Sequence, residues 1–114
     1  MNQNFQPLFA NEVWAGDITY IKTNQGWRYL AVVMDLFSRR IVGWNMAERM
    51  KADLVIQALQ QAHVLRQPQY GCVFHSDRGS QYTSRAFAKK ARQLKMRLSM
   101  SDVGCCYDNA VVER

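Results

Sequence analysis

Hydrophobic and polar positions alternate from Val13 to Lys22, with Trp14, Gly16, Ile18 and Tyr20 on one face and Val13, Ala15, Asp17, Thr19 and Ile21 on the other. A period of two predicts a β-strand, with an aspartate in its middle. Thr23-Asn24-Gln25-Gly26 is turn chemistry, and the apolar run Trp27 to Met34 predicts a second strand closing an antiparallel hairpin. Leu36-Phe37-Ser38-Arg39 reads as another turn and Arg40 to Met46 as a third strand, completing a meander. The period changes after Glu48. Ala52, Val55, Ile56, Leu59, Ala62 and Leu65 recur at helical spacing between Lys51 and Arg66, with Asp53 in the first turn and Pro68 beyond the end.

A short apolar run, Gly71 to Ser76, follows this helix and predicts a buried strand parallel to one of the first three. It ends in the turn Asp77-Arg78-Gly79-Ser80. Ser84 suits the cap of a helix reaching about Lys95, with Phe87, Ala91 and Leu94 inward and Arg85, Lys89 and Arg92 on the outer face. A strand over Arg97 to Ser101, a Gly104-containing loop and a helix capped by Asp108 complete the reading. The order βββαβαβα describes an α/β domain with a mixed sheet. Residues 1–12 have no steady period and read as a linker-like lead-in, leaving 13–114 as the ordered domain.

Composition narrows the function classes. The 114 residues are 48% hydrophobic, which is enough for a core, and 15 Lys plus Arg against 9 Asp plus Glu give a net charge of +6. A polyanionic partner fits that excess. No run is long and apolar enough to span a bilayer, and the start lacks the pattern of a signal peptide, so a cytoplasmic location is expected. Three cysteines, two of them adjacent at Cys105 and Cys106, fit reduced thiols better than a disulfide framework. Cys72 reads as a buried small hydrophobe, His63 and His75 as structural, and Trp14, Trp27 and Trp44 as core or sheet-face residues.

Three carboxylates stand at informative places. Asp17 lies inside a strand, where a carboxylate needs a cationic partner or a metal ion. Asp77 lies just past the carboxyl end of a buried strand, where α/β sheets place ligands. Glu113 lies on the last helix. Oxygen ligands of this kind suit Mg²⁺ or Mn²⁺, and a two-metal arrangement serves phosphoryl transfer. Each has an ordinary alternative: a partnered strand residue, a turn former and a solvated helix residue. Asp35 is expected to pair with Arg39 or Arg40. From Arg78 to Arg97 there are seven basic residues and no acidic one. The exposed face formed by Arg85, Lys89 and Arg92 is able to follow a nucleic-acid backbone, or is simply solvated.

Four segments alter these odds together. They are Trp14-Ala15-Gly16-Asp17-Ile18-Thr19-Tyr20, Val33-Met34-Asp35-Leu36-Phe37-Ser38-Arg39, His75-Ser76-Asp77-Arg78-Gly79-Ser80-Gln81-Tyr82 and Tyr107-Asp108-Asn109-Ala110-Val111-Val112-Glu113. In this order they closely resemble the integrase-core (DDE) transposases of bacterial insertion sequences, in the IS-three group. The 35 residues between Asp77 and Glu113 match the spacing in that family's acidic triad. The resemblance implies a ribonuclease H-like fold, with a three-stranded antiparallel meander, parallel strands and flanking helices. It implies that Asp17, Asp77 and Glu113 hold a pair of Mg²⁺ or Mn²⁺ ions and catalyse phosphodiester cleavage followed by 3′-hydroxyl strand transfer. The implied partners are transposon ends and target DNA, with no membrane. A homo-oligomer is compatible with it, and so is association with the nucleoid when bound to DNA. Arg78, Gln81 and Asn109 become candidate DNA contacts beside Arg85, Lys89 and Arg92. Cys105 departs from the family's usual Gly-Asn-Cys-Tyr run.

Against the family both ends look cut. Its upstream helix-turn-helix region is missing, as are the later helices of the core, so Glu113 is expected to be poorly held. Two alternatives stay open: a catalytically inactive remnant that at most binds DNA, and a ribonuclease H-like nuclease acting on nucleic-acid hybrids. The Asp17-Ile18-Thr19-Tyr20 and Asp77-Arg78-Gly79-Ser80 runs favour the transposase branch over the second.

Overall fold

Alternation in the first third of the chain produces three successive antiparallel strands: β1 (Val13–Thr23), β2 (Gly26–Asp35) and β3 (Arg40–Ala47). The structure is a computed structural model and describes residues 9–68, 71–77 and 79–100. The β1–β2 turn is held by Thr23, whose hydroxyl donates to the Gly26 carbonyl at 2.7 Å and accepts from the Gln25 amide at 3.1 Å. Gly26 turns the chain at φ +107°, where a Cβ would be strained.

Helix α1 (Ala52–Arg66) crosses over and delivers β4 (Val73–Ser76) parallel to β1. A one-turn helix α2 (Ser80–Thr83) and the longer α3 (Arg85–Gln93) then lead to β5 (Arg97–Met100), parallel to β4. The sheet order β3-β2-β1-β4-β5 is the expected mixture of an antiparallel meander and parallel strands. Helix α2 is an addition: Ser80, read as the end of a turn, opens a helical turn instead. Ser84 caps α3 as expected, its Oγ accepting from the Phe87 amide at 3.1 Å.

The main core lies on the helix-covered face of the sheet. Trp14, Val33, Leu54, Leu59, Phe74 and Phe87 are fully buried there. Helix α1 buries Leu54, Val55, Ala58, Leu59 and Ala62, a rotation away from the expected stripe. Leu65, expected inward, is 67% exposed beside Val64. The cause is Gly43 on β3: a Cβ there would lie 2.8 Å from that of Ala62, so helix and strand approach through small residues. Gln67 ends α1 in the left-handed conformation, its amide donating to the His63 carbonyl at 2.7 Å, with Pro68 following. Trp14 is a core residue, whereas Trp27 and Trp44 are about half exposed on the strands.

Asp35 corrects another expectation. Its side chain is fully buried and pairs with Arg66 at 3.2 Å, neither Arg39 nor Arg40 being its ion-pair partner. Arg39 instead donates its backbone amide to the Asp35 carbonyl. The Asp35 carboxylate also accepts from the amides of Asn11 and Phe37 and the hydroxyl of Ser38, at 3.2 to 3.3 Å. It thereby ties the segment before β1, the end of β2 and the last turn of α1 together. Nearby Cys72 is buried, and that burial, with the Asp35 charge adding to it, pushes its thiol up to about 12.

Candidate active site

Parallel pairing of β1 with β4 builds the site. Val13 pairs with Val73, Trp14 with Phe74 and Ala15 with His75, and Asp17 and Asp77 each lie two residues beyond that last pair. Two carboxylates distant in sequence are thereby brought near each other just beyond the paired segment, close enough for the charge of Asp77 to act on Asp17. Asp17 projects from the face of β1 that also carries Val13 and Ala15, opposite the main core. Asp77 is the first residue after β4, and its Oδ1 accepts from the Gly79 amide at 2.8 Å, fixing the turn that leads into α2.

Neither carboxylate has an ion-pair partner among the described residues, where Arg28 pairs with Glu48 and Arg66 with Asp35. Partial desolvation raises the Asp17 carboxyl above its ordinary value; the Ile18 backbone works against this, and the negative charge of Asp77 adds to it. Two oxygen donors that repel one another fit a hard divalent cation. Among the described residues no cluster of three His, Cys, Asp or Glu residues surrounds them. Glu113, the expected third member, lies outside the described residues, as do Asn109 and Arg78.

The remaining candidates divide. Gln81 is half-buried in α2, with its side-chain amide against the Met50 sulfur and close to Gly79. Arg85, Lys89 and Arg92 are exposed on α3, opposite the buried Phe87 and Ala91, as their spacing predicts. His75 is buried, with Nδ1 3.2 Å from the Ser99 hydroxyl on the neighbouring strand β5.

One residue escaped the sequence reading. Tyr82, from α2, is buried under β1: its Cε1 would be 3.2 Å from a Cβ placed on Gly16. Burial, followed by the charges of Asp17 and Asp77, drives its phenol far above the ordinary value. Its hydroxyl has no hydrogen-bond partner among the described residues. The available signal was its place five residues beyond Asp77 in the His75–Tyr82 segment; its contact with Gly16 is a tertiary fact.

Comparison with known proteins places this arrangement. A chain of the simian T-cell lymphotropic virus intasome in complex with PP2A regulatory subunit B56 gamma superimposes with a TM-score of 0.77 at 24% identity, covering 88% of this chain and 35% of that one. The HTLV-2 integrase catalytic core domain in complex with magnesium, in its dimeric form, gives 0.74 at 23% identity, covering 83% and 63%. The fold is ribonuclease H-like, as in retroviral integrase cores. In sequence, the chain is 48% identical over 113 residues to the transposase InsF for insertion sequence IS3fB of Escherichia coli strain K12, covering 99% of this chain and 39% of the relative. The transposase for insertion sequence element IS904 of Lactococcus lactis is also 48% identical over 113 residues, 45% of its length. The chain thus spans less than half the length of these relatives. Residues 9–106, which include both described carboxylates, match the integrase core domain, and the chain belongs to that family.

Proposed function

We propose that this domain is the catalytic core of a DDE transposase, with Asp17, Asp77 and Glu113 as its metal-binding triad. The observation that carries the reading is the pair Asp17 and Asp77, one on β1 and the other just after its parallel neighbour β4, with no cationic ion-pair partner among the described residues. The HTLV-2 core in complex with magnesium and the transposase relatives support a divalent cation and DNA as its ligands.

Such a cation pair, Mg²⁺ or Mn²⁺, supplies activation of an attacking oxygen and stabilisation of a leaving one at phosphorus. The protein's part is positional. Asp17 offers its carboxylate from a strand anchored on both sides, and Asp77 offers one from a turn held by the Gly79 amide. Arg85, Lys89 and Arg92 line the exposed face of α3 and neutralise backbone phosphates, with Gln81, Arg78 and Asn109 as further contacts. The same site serves two in-line substitutions: water cleaves a phosphodiester at a transposon end, and the freed 3′-hydroxyl then attacks target DNA. Neither step needs a covalent enzyme intermediate.

The test is cleavage of DNA carrying the ends of the encoding element by the purified protein in MnCl₂. The expected result is metal-dependent nicking that falls to background in Asp77→Asn. Nicking that persists in this variant overturns the site assignment. A wild-type protein that binds the DNA without cutting it identifies a noncatalytic remnant.

A further inference from the structure

Three aromatic rings gather toward the turn of the β1–β2 hairpin, on the sheet face that carries Trp14. Tyr20 lies opposite Tyr29 in the register with ring centroids 4.7 Å apart, and Tyr29 packs against the core. Trp27 stacks on Tyr20 at 4.9 Å with 22° between the ring planes, so Tyr20 joins the other two. The directly opposed tyrosine pair is enough to tie the two strands. Trp27 adds a large ring that is 51% exposed, beside a Tyr20 that is 54% exposed. Aromatic surface held in a fixed order but left in water marks an interaction site. From Ile18 to Met34 the chain has two basic residues, Lys22 and Arg28, and no acidic one. Arg28 pairs with Glu48, whereas Lys22 is exposed and stands opposite Trp27 on the same face. The row also borders the carboxylate pair. Tyr20 is three residues beyond Asp17, about 10 Å along the strand. Among the described residues β1 pairs with β4 only as far as Ala15, so beyond it the two faces of the hairpin meet at an open edge. Ala47 pairs with Tyr29, and Met50, three residues later, meets the Gln81 side-chain amide beside Gly79 and Asp77.

We propose that this row is a stacking platform for an unpaired nucleobase of the DNA, which lies on the Trp27 indole while Lys22 meets a neighbouring phosphate. The inference rests on the reading of DNA as substrate and does not depend on the metal site. Every base has a flat π face, and stacking on an aromatic ring needs no base-specific hydrogen bond, so any unpaired base fits. In an intact duplex those faces are already stacked on one another. The base taken up here therefore belongs to a single-stranded stretch, and the nearness of Asp17 and Asp77 places that stretch beside the phosphodiester to be cut. A protein partner would also cover exposed rings, but the run without carboxylates and the unpaired Lys22 favour a polyanion.

The test compares a labelled oligothymidylate with an abasic strand of the same length and charge, by fluorescence anisotropy in EDTA at fixed salt. The wild type is expected to bind the oligothymidylate about 5- to 100-fold more tightly, the effect of one stacked base. In Trp27→Leu the preference is expected to fall below about 2-fold, while affinity for the abasic strand, which reads phosphate contacts alone, is unchanged. Trp27→Phe, which keeps a flat ring, is expected to retain most of the preference. A second readout leaves Trp27 in place. In Trp44→Phe the two remaining tryptophans are the buried Trp14 and the exposed Trp27, and oligothymidylate is expected to quench the emission of the latter where the abasic strand does not. Equal affinity of the wild type for the two strands, a preference that Trp27→Leu retains, or unquenched emission overturns the proposal and leaves the DNA reading standing. A change of oligomeric state in Trp27→Leu, read by light scattering, assigns the row to a protein partner and also overturns it. A wild type that binds neither strand removes the DNA reading and the proposal together.

Discussion

The start and the middle of β1 hold carboxylates in opposite ways. Beside its amino end, Asp35 is fully buried, and four groups besides its own strand answer it: Arg66, Ser38 and the amides of Asn11 and Phe37. Toward the middle of the strand, Asp17 and Asp77 reach solvent and face one another without an ion-pair partner among the described residues. A carboxylate that serves the fold is neutralised within the fold, because an unpaired buried charge is too costly to keep. A carboxylate kept near a second one, with no cation from the protein, has its charge left available for something the protein binds. The acidic residues alone do not distinguish these cases; their partners do.

The largest test of the contrast is Asp35→Ala. Removing one member of a buried pair strands the Arg66 guanidinium and leaves the Asn11 and Phe37 amides without this acceptor, so chemical denaturation should show a loss of about 3–5 kcal/mol. A loss below about 1 kcal/mol would mean that the network contributes little, and the contrast would fail at its structural end. Next is Gly16→Ala, beside Asp17. The new methyl would press on Phe74 and Tyr82, and a loss of about 1–3 kcal/mol is expected from the same measurement.

The smallest effect has the opposite sign. Asp17→Asn should raise the melting temperature at pH 7 by about 1–3 °C, a few tenths of a kcal/mol for a partly solvated group. Because its folded-state pKa is raised, Asp17 binds its proton more tightly folded than unfolded. Its contribution is therefore most favourable below the unfolded value of 3.8 and is lost as the pH rises through the folded value. The advantage of the asparagine variant should accordingly shrink as the pH is lowered toward 3.8. A variant less stable than the wild type at pH 7 would show that Asp17 has a structural partner like that of Asp35.

Much of this architecture was legible in the sequence. The period-two segments, the turn around Gly26, the Ser84 cap and the exposed Arg85, Lys89 and Arg92 face follow from local chemistry, which short windows of sequence contain. Leu65 was misplaced because the facing of α1 is decided by Gly43 on another element, which admits Ala58 and Ala62. Asp35 was given a neighbour in sequence, whereas its partner arrives from the far end of a helix. The closeness of Asp17 and Asp77 depends on which strand β4 joins. Strand patterns predict a parallel partner among the first three, and only the sheet order shows it to be β1. The burial of the Tyr82 phenol, without a hydrogen-bond partner among the described residues, is a tertiary fact, because a buried tyrosine and a buried phenylalanine have the same pattern.

The crossover that places β4 against β1 also governs when these groups meet during folding. The meander is assembled from hairpins whose turns close short loops, while β4 joins β1 only after α1 and its connections have been drawn in between them. Closing so long an intervening chain costs more entropy, and contacts of this range form more slowly than hairpins. A chain caught with only its meander in place therefore carries Asp17 without Asp77. The paired like charges of the finished site are absent from that intermediate arrangement, so their repulsion falls on the final docking of β4 and not on the hairpins that precede it.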